Sequence, residues 1–237
     1  MTYRNGGDLL VAVLKELGID TVFGIVSVHN LPLVEAVDRE LRFVPVRHEA
    51  TAVNAADGYG RARGGLGCAL TSTGTGAGNA AGSLVEALAS GTSVLHVTGQ
   101  IESRYLGGGR GFIHETRDQL GMLAAVSAYA ATVPDAGSAG RLLREAAAAA
   151  LAVPGGPASV EWPVDLQYAA QQDTPGTTAT AGIPAPDPAE LAGAQALLAA
   201  ARRPLIWAGG GANRARRELL ALLETTGAGL ITSNSGR

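Results

Sequence analysis

"FVPVRHEATAVNAADGYGRARG", residues 43–64, decides how this chain is read. An apolar run with strand character ends in Arg47, His48 and Glu49, and the segment that follows carries no charge until Asp57. Its small residues and Gly-Tyr-x-Arg tail read as a helix over 49–63. Charged groups at a buried strand–helix junction are expensive unless they are paired or used. Position alone leaves two readings of Glu49 open. It is a helix-start carboxylate favoured by the macrodipole, or it is a group kept for chemistry.

Strand-sized apolar runs alternate with helical segments on both sides of this stretch. Upstream, Leu10, Val13, Leu14 and Leu17 fall at helical spacing, with Gly18 as a C-terminal cap. "TVFGI" (21–25) reads as a short buried strand, followed by the loop "VSVHN" (26–30) and a helix from Leu31. "RFVPVRH" (42–48) is the second strand. Downstream come strand "GCALT" (67–71), loop "STGTG" (72–76), a helix from about Ala77 and strand "SVLHVT" (93–98). A long loop over 99–115, a helix over 116–126, strand "AYAATV" (128–133), a helix over 137–152 and strand "PASVEWP" (157–163) close the series. Strands alternating with helices predict an α/β fold: a doubly wound parallel six-stranded sheet, covered on both faces, over 1–168.

"AAQQDTPGTTATAGIPAPDP" (169–188) changes the composition to Pro, Thr, Gly and Ala without period, and reads as an interdomain linker. A helix over 188–202, strand "PLIWAGGGA", a helix over 213–226 and strand "GLITS" then begin a second α/β unit over 189–237. Two strands and two helices bury too little surface to fold alone, so the chain is expected to be incomplete. Hydrophobic residues make up 46 % of the 237, enough for a substantial core. The formal net charge of −3 with no basic run excludes nucleic acid as a partner. Cys68 is the single cysteine, which rules out an internal disulfide and fits a reducing compartment. The first 18 residues have charges among their apolar positions, unlike a signal peptide, and no apolar run is long enough to span a bilayer. A soluble, cytoplasmic protein is expected.

In an open parallel sheet, ligands bind beyond the C-terminal ends of the strands. Four such segments carry unusual residues here: "VSVHN" with Ser27, His29 and Asn30; "HE" at 48–49; "STGTG"; and "GQIESRYLGGGRGFIHE" (99–115), with Gln100, Arg104, Arg110, His114 and Glu115. Topology puts all four on one rim. Singly, each has a plainer reading. "GTGAGN" (74–79) resembles a nucleotide-binding glycine loop, but glycine turns after strands are common. "GGGAN" (209–213) reads as a strand-to-helix turn, "GGGRG" (107–111) as a mobile surface loop, and His48 and His96 as structural. A nicotinamide-binding reading lacks the acidic ribose ligand after the second strand, where Arg47-His48-Glu49 stands instead.

The segment "RHEATAVNAADGYGRARG" resembles the signature of thiamine-diphosphate enzymes of the acetolactate synthase and 2-oxo-acid decarboxylase superfamily. "GIDTVFGI", "TSTGTGAGN", "VLHVTGQ" and "GGPASVEWPVDLQ" follow in family order, so the resemblance covers residues 5–168, with 189–237 matching the start of a central domain. It implies a pyrimidine-binding domain and catalysis by Glu49. In the family, the matching glutamate hydrogen-bonds a ring nitrogen of the cofactor's aminopyrimidine and promotes the imino tautomer that removes the thiazolium C2 proton. The 2-oxo acid then loses carbon dioxide, and the enamine meets a proton or a second carbonyl. A carboxylate suits that task when it is desolvated, because burial makes its proton shareable. The apolar strand before Glu49 and the small residues Ala50, Ala52 and Ala55 after it offer such a setting. On this resemblance the opening question is answered: Glu49 faces a cofactor and forms no salt bridge.

By the same resemblance, Ser72, Thr73, Gly74, Thr75 and Asn79 bind the cofactor and Gln100 lines the substrate side. His29 falls where some carboligating members place an active-site histidine, and His114 where synthases often carry glutamine and some decarboxylases histidine. The family's Gly-Pro-Gly is here Gly74-Thr75-Gly76, and "VSVHN" replaces a glycine-rich turn, which leaves the product open. The family holds the diphosphate and its Mg2+ with a Gly-Asp-Gly motif in a C-terminal domain; none occurs in these 237 residues. The resemblance therefore implies half a site, completed by a C-terminal diphosphate-binding domain or fragment between subunits of a homo-oligomer. The alternative is a regulatory or scaffolding subunit that retained the fold without catalysis.

Overall fold

Capping residues place the first elements. Asn5 takes an extended conformation and its side chain accepts the Asp8 amide at 3.0 Å, starting a helix whose Leu9, Leu10, Val13 and Leu14 are buried. Gly18, at φ 72°, turns the chain out of it. In the computed structural model, which describes residues 1–173 and 185–236, the chain divides into two units, Met1–Gly182 and Ile183–Arg237. The first runs β1 (Thr2–Tyr3), α1 (Gly6–Glu16), β2 (Thr21–Gly24), α2 (Leu31–Glu40), β3 (Arg42–Pro45), α3 (Glu49–Arg63), β4 (Gly67–Thr71) and α4 (Thr75–Ser90). It continues β5 (Val94–Gln100), α5 (Gln119–Ala124), β6 (Tyr129–Thr132), α6 (Ala139–Leu151), β7 (Pro157–Pro163), α7 (Val164–Tyr168) and β8 (Gln171–Gln172).

The sheet is parallel, six-stranded and ordered β3-β2-β4-β5-β7-β6, the expected α/β architecture. The chain moves outward from β2 to β3, then returns to place β4 on the other side of β2. That reversal opens a crevice at the C-terminal ends of β2 and β4. One face of the sheet is covered by α1, α2 and α6, packed through Leu10, Leu14, Leu33, Val37 and Leu143 onto Val22, Leu70 and Leu95. The other is covered by α3, α4 and α5, and its core is finer-grained: Ala52, Val53, Ala56, Ala77, Ala80 and Leu84. Small residues let α3 lie close on β4, where a Cβ on Gly67 would fall 1.9 Å from the Ala56 carbonyl oxygen.

Three details differ from the sequence expectation. β3 stops at Pro45 and is a half-buried edge strand, because it pairs with β2 alone. Pro45 is tolerated there since its nitrogen lies on the unpaired edge, while Val46 N still donates to the Gly24 carbonyl. α4 begins at Thr75, two residues earlier than expected, since Gly74 at φ 58° makes the turn before it. α5 shrinks to Gln119–Ala124, started by Asp118, whose carboxylate accepts the Gly121 amide at 2.6 Å. A short antiparallel ribbon of β1 with β8 was not anticipated. Most of the expected linker, residues 174–184, lies outside the described residues.

The second unit holds α8 (Pro188–Ala200), β9 (Leu205–Ala208), α9 (Arg216–Thr226) and β10 (Gly229–Thr232), with β9 and β10 parallel. Among its described residues only Ala208 is buried, and Trp207 is 75 % exposed. Among the described residues no helix is long and apolar enough to cross a membrane.

Candidate active site

The β3–α3 junction separates its three charged residues. Arg47 is exposed. His48 caps α3, its Nδ1 accepting the Ala50 amide at 3.2 Å, a structural role. Glu49 turns inward and is buried. Among the described residues it forms no ion pair, and its one hydrogen bond comes from Asn79 Nδ2 to Oε2 at 3.0 Å. Its other oxygen, Oε1, faces Gly76: a Cβ there would lie 2.9 Å from Oε1 and 2.8 Å from Ser72 Cβ. The glycine therefore keeps open the side of the carboxylate that Asn79 does not use.

The turn after β4 is tied to the crevice from several directions. Ser72 Oγ and Ser27 Oγ, from the loops after β4 and β2, are 2.6 Å apart across the reversal of strand order. The Ser72 carbonyl accepts Thr98 Oγ1 at 2.6 Å. Asn30, fully buried, holds the first loop by donating to the Ile25 and Thr71 carbonyls and accepting the Ser27 amide. Thr73 is fully buried and Thr75 exposed.

His29 and His114 meet, with ring centroids 5.7 Å apart and planes at 75°. His29 is buried, its carbonyl accepts Gln167 Nε2 at 2.8 Å, and its Nδ1 has no hydrogen-bond partner among the described residues. Burial, and secondarily the charge His114 can carry, push its pKa below the ordinary histidine value. His114 Nδ1 lies 3.2 Å from Thr75 Oγ1, and at φ 65° its backbone is left-handed, which non-glycine residues seldom adopt. It is placed there by contact: a Cβ on Gly74 would sit 2.0 Å from the His114 carbonyl oxygen. The loop before it is organised, with Tyr105 stacked on Phe112 at 4.2 Å, Arg104 over Tyr105, and Glu115 accepting the Gly109 and Phe112 amides.

Gln100 carries its amide into a buried network beneath the turn. Its Oε1 accepts the Ile101 amide and lies 3.2 Å from Thr73 Oγ1, whose one proton points to Gln119 Oε1 at 2.8 Å, and its Nε2 donates to Glu161 Oε2 at 3.1 Å. Glu161 is held above the usual carboxylate range by burial, opposed by hydrogen bonds from Thr132, Gln119 and Gln100. Sequence reasoning missed Glu161 and Gln119. Glu161 lies inside an apolar-looking strand, and Gln119 sat in the middle of an expected helix. A carboxylate in the run "PASVEWP" was the available signal. His96, read as structural, is fully buried between Thr71 Oγ1 (2.8 Å from Nε2) and Ser159 Oγ (3.0 Å from Nδ1).

The sequence candidates thus gather around one turn. Glu49 and Ser72 flank Gly76, with Asn79 on the Glu49 carboxylate; His114, in ring contact with His29, lies against Gly74 and Thr75; and Gln100 lies beneath Thr73. A buried acceptor with no cation, opening onto a space that only glycine leaves free, fits a ring nitrogen able to share a proton.

Comparison with known proteins identifies the family. Residues 4–122 match the family model for the thiamine pyrophosphate enzyme N-terminal TPP binding domain (thiamine pyrophosphate is thiamine diphosphate). A probable 2-ketoarginine decarboxylase of Pseudomonas aeruginosa is 36 % identical over 234 residues, covering 98 % of this chain and 42 % of that one. Acetolactate synthase isozyme 2 large subunit of Escherichia coli is 31 % identical over 223 residues, covering 92 % and 40 %. An acetolactate synthase large subunit of Mycobacterium tuberculosis is 32 % identical over 209 residues, covering 86 % and 38 %. The chain belongs to the thiamine-diphosphate-dependent enzymes of the acetolactate synthase and 2-oxo-acid decarboxylase superfamily. It spans about two fifths of the length of these relatives.

Proposed function

We propose that this chain supplies the pyrimidine-binding half of a thiamine-diphosphate site that decarboxylates a 2-oxo acid, with or without joining the product carbon to a second carbonyl. The observation that carries the reading is the buried, uncompensated carboxylate of Glu49 opposite Gly76. When bound, the cofactor supplies an acidic C2–H and an electron sink for the carbon that loses carbon dioxide. Glu49 holds a proton at Oε1 and shares it with the pyrimidine ring, while Asn79 fixes the carboxylate through Oε2. Ser72, Thr73, Gly74 and Thr75 form the backbone wall against the pyrimidine. His29 and His114 stand on the substrate side, while Gln100, expected there from the resemblance, has its amide taken up in the buried network beneath the turn. With its pKa depressed, the His29 imidazole is neutral near pH 7 and able to exchange a proton with an oxygen of the reacting carbonyl.

In the same reading the diphosphate and Mg2+ are held by a C-terminal domain or partner fragment, and complete sites form between subunits of a homo-oligomer in the cytoplasm. The substrate is a small 2-oxo acid, and the name of one relative sets the first compound to assay, 2-ketoarginine. The test is Glu49→Gln in the full-length protein. C2 proton exchange of the bound cofactor should slow by ~10²-fold or more, the scale of a lost acid–base group, with the fold retained because glutamine still accepts from Asn79. Exchange at the native rate refutes the assignment.

A further inference from the structure

Beneath the turn lies a cluster that the proposed chemistry does not use directly. A glutamine amide has two N–H donors and one oxygen with two lone pairs, and Gln119 uses all four. Its Oε1 accepts the Gly74 amide at 2.6 Å and Thr73 Oγ1 at 2.8 Å. Its Nε2 donates to the Gly99 carbonyl at 3.0 Å and to Glu161 Oε2 at 3.0 Å. Glu161 Oε2 also accepts Gln100 Nε2, and Oε1 accepts Thr132 Oγ1 at 2.5 Å. Thr73, Gln100, Gln119 and Glu161 are all at least nine-tenths buried, so water does not substitute for any of these partners.

We propose that Gln119, its amide oriented by Glu161, is a positioning residue that sets the Thr73–Gly74 turn facing both the cofactor pocket and His114. An ionised carboxylate only accepts, so it decides which end of each amide faces it. With the Gln119 N–H groups drawn to Glu161 and Gly99, its oxygen must face the Gly74 N–H. A flipped amide would oppose donor to donor at the Gly74 N–H and acceptor to acceptor at the Gly99 carbonyl and Glu161 Oε2. The Gly74 peptide in turn determines where Thr75 stands beside His114 Nδ1, and Gly74 itself lies against the His114 carbonyl. The cluster ties together the ends of β4, β5, β6 and β7, so a turn on the rim takes its orientation from the sheet. The functional part of this inference rests on the reading in Proposed function; the structural part does not.

The experiment uses the full-length protein without cofactor, with hydrogen exchange resolved at Gly74, followed by turnover on a 2-oxo acid with cofactor and Mg2+. Gln119→Leu should raise Gly74 exchange about tenfold, the scale of one lost hydrogen bond, with Leu70 and Val97 unchanged. Glu161→Leu should do the same, although Glu161 does not touch Gly74. Glu161→Gln should keep native protection, because its oxygen can face both amides while its NH2 meets Thr132 Oγ1. Turnover should follow the same order, falling about tenfold or more in the two leucine variants and with KM moved less than about threefold, as for a misplaced but present site. Glu49→Gln should lose activity without moving Gly74 exchange, which separates failure of this inference from failure of the functional reading. Native exchange at Gly74 in Gln119→Leu or Glu161→Leu overturns the inference. So does a rise in Glu161→Gln as large as in Glu161→Leu. If a leucine variant fails to fold, Glu161→Gln remains decisive: lost protection at Gly74 overturns the inference and retained protection supports it.

Discussion

His96 offers a stability measurement whose size follows from its surroundings. It is fully buried in β5 under the active-site turn, and burial lowers its pKa from 6.5 to about 4. The folded imidazole stays neutral while the unfolded one takes up a proton, so the stabilisation is fully present above pH 6.5 and is lost as pH falls toward 4. At 1.36 kcal/mol per pKa unit, the full loss is about 3 kcal/mol, of which about 2 kcal/mol has gone by pH 5. The perturbation is His96→Gln, which keeps hydrogen-bonding groups for Thr71 and Ser159 but does not titrate. Urea unfolding at pH 7.5 and pH 5, followed by fluorescence, reports on it because Trp162 is fully buried and Trp207 is 75 % exposed. The wild-type protein should lose about 2 kcal/mol more than the variant between those pH values. A gap that stays constant to within about 0.5 kcal/mol refutes the argument, because it means that the folded imidazole takes up its proton as readily as the unfolded one.

The remaining predictions concern the site. Gly76→Ala puts a methyl group within 2.9 Å of Glu49 Oε1 and 2.8 Å of Ser72 Cβ, so turnover should fall about tenfold or more and the melting temperature should drop as well; native turnover would show that the carboxylate does not work from that side. The His29 Cε1 proton should titrate below 6.5 by NMR, and His114→Ala should raise that pKa only partway, because burial is the larger cause and the charge of His114 the smaller. A return to the ordinary value in that variant would reverse this ranking. Residues 1–237 alone should show no thiamine-diphosphate turnover, which a C-terminal segment carrying the diphosphate motif restores. Tight Mg2+-dependent cofactor binding by residues 1–237, read by calorimetry, would sink the half-site reading.

Local pattern carried much of the fold. Alternating apolar runs and helical periods reveal six strands and their order along the chain, because burial on both faces of a parallel sheet leaves continuous apolar segments. The motif around Glu49 was equally legible, since a carboxylate after an apolar strand and before a run of small residues needs an explanation. Boundaries were less so: β3 looked like a buried strand of seven residues but is a half-buried edge strand of four. Burial depends on how many neighbours a strand has, and its own residues do not state that.

What tertiary structure alone decided is which polar groups share a space. Glu49 and Asn79 are 30 positions apart and Gln119 and Glu161 are 42 apart, yet each pair is joined by one hydrogen bond. The sequence marks Glu49 because its setting is local: strand, cap and helix are contiguous. It does not mark Gln119, whose four hydrogen bonds reach three other stretches of chain, at Thr73–Gly74, Gly99 and Glu161, brought together only when β4, β5 and β7 line up. A side chain that works through partners distant in sequence leaves no periodicity to read, and its role emerges only when the sheet closes around it.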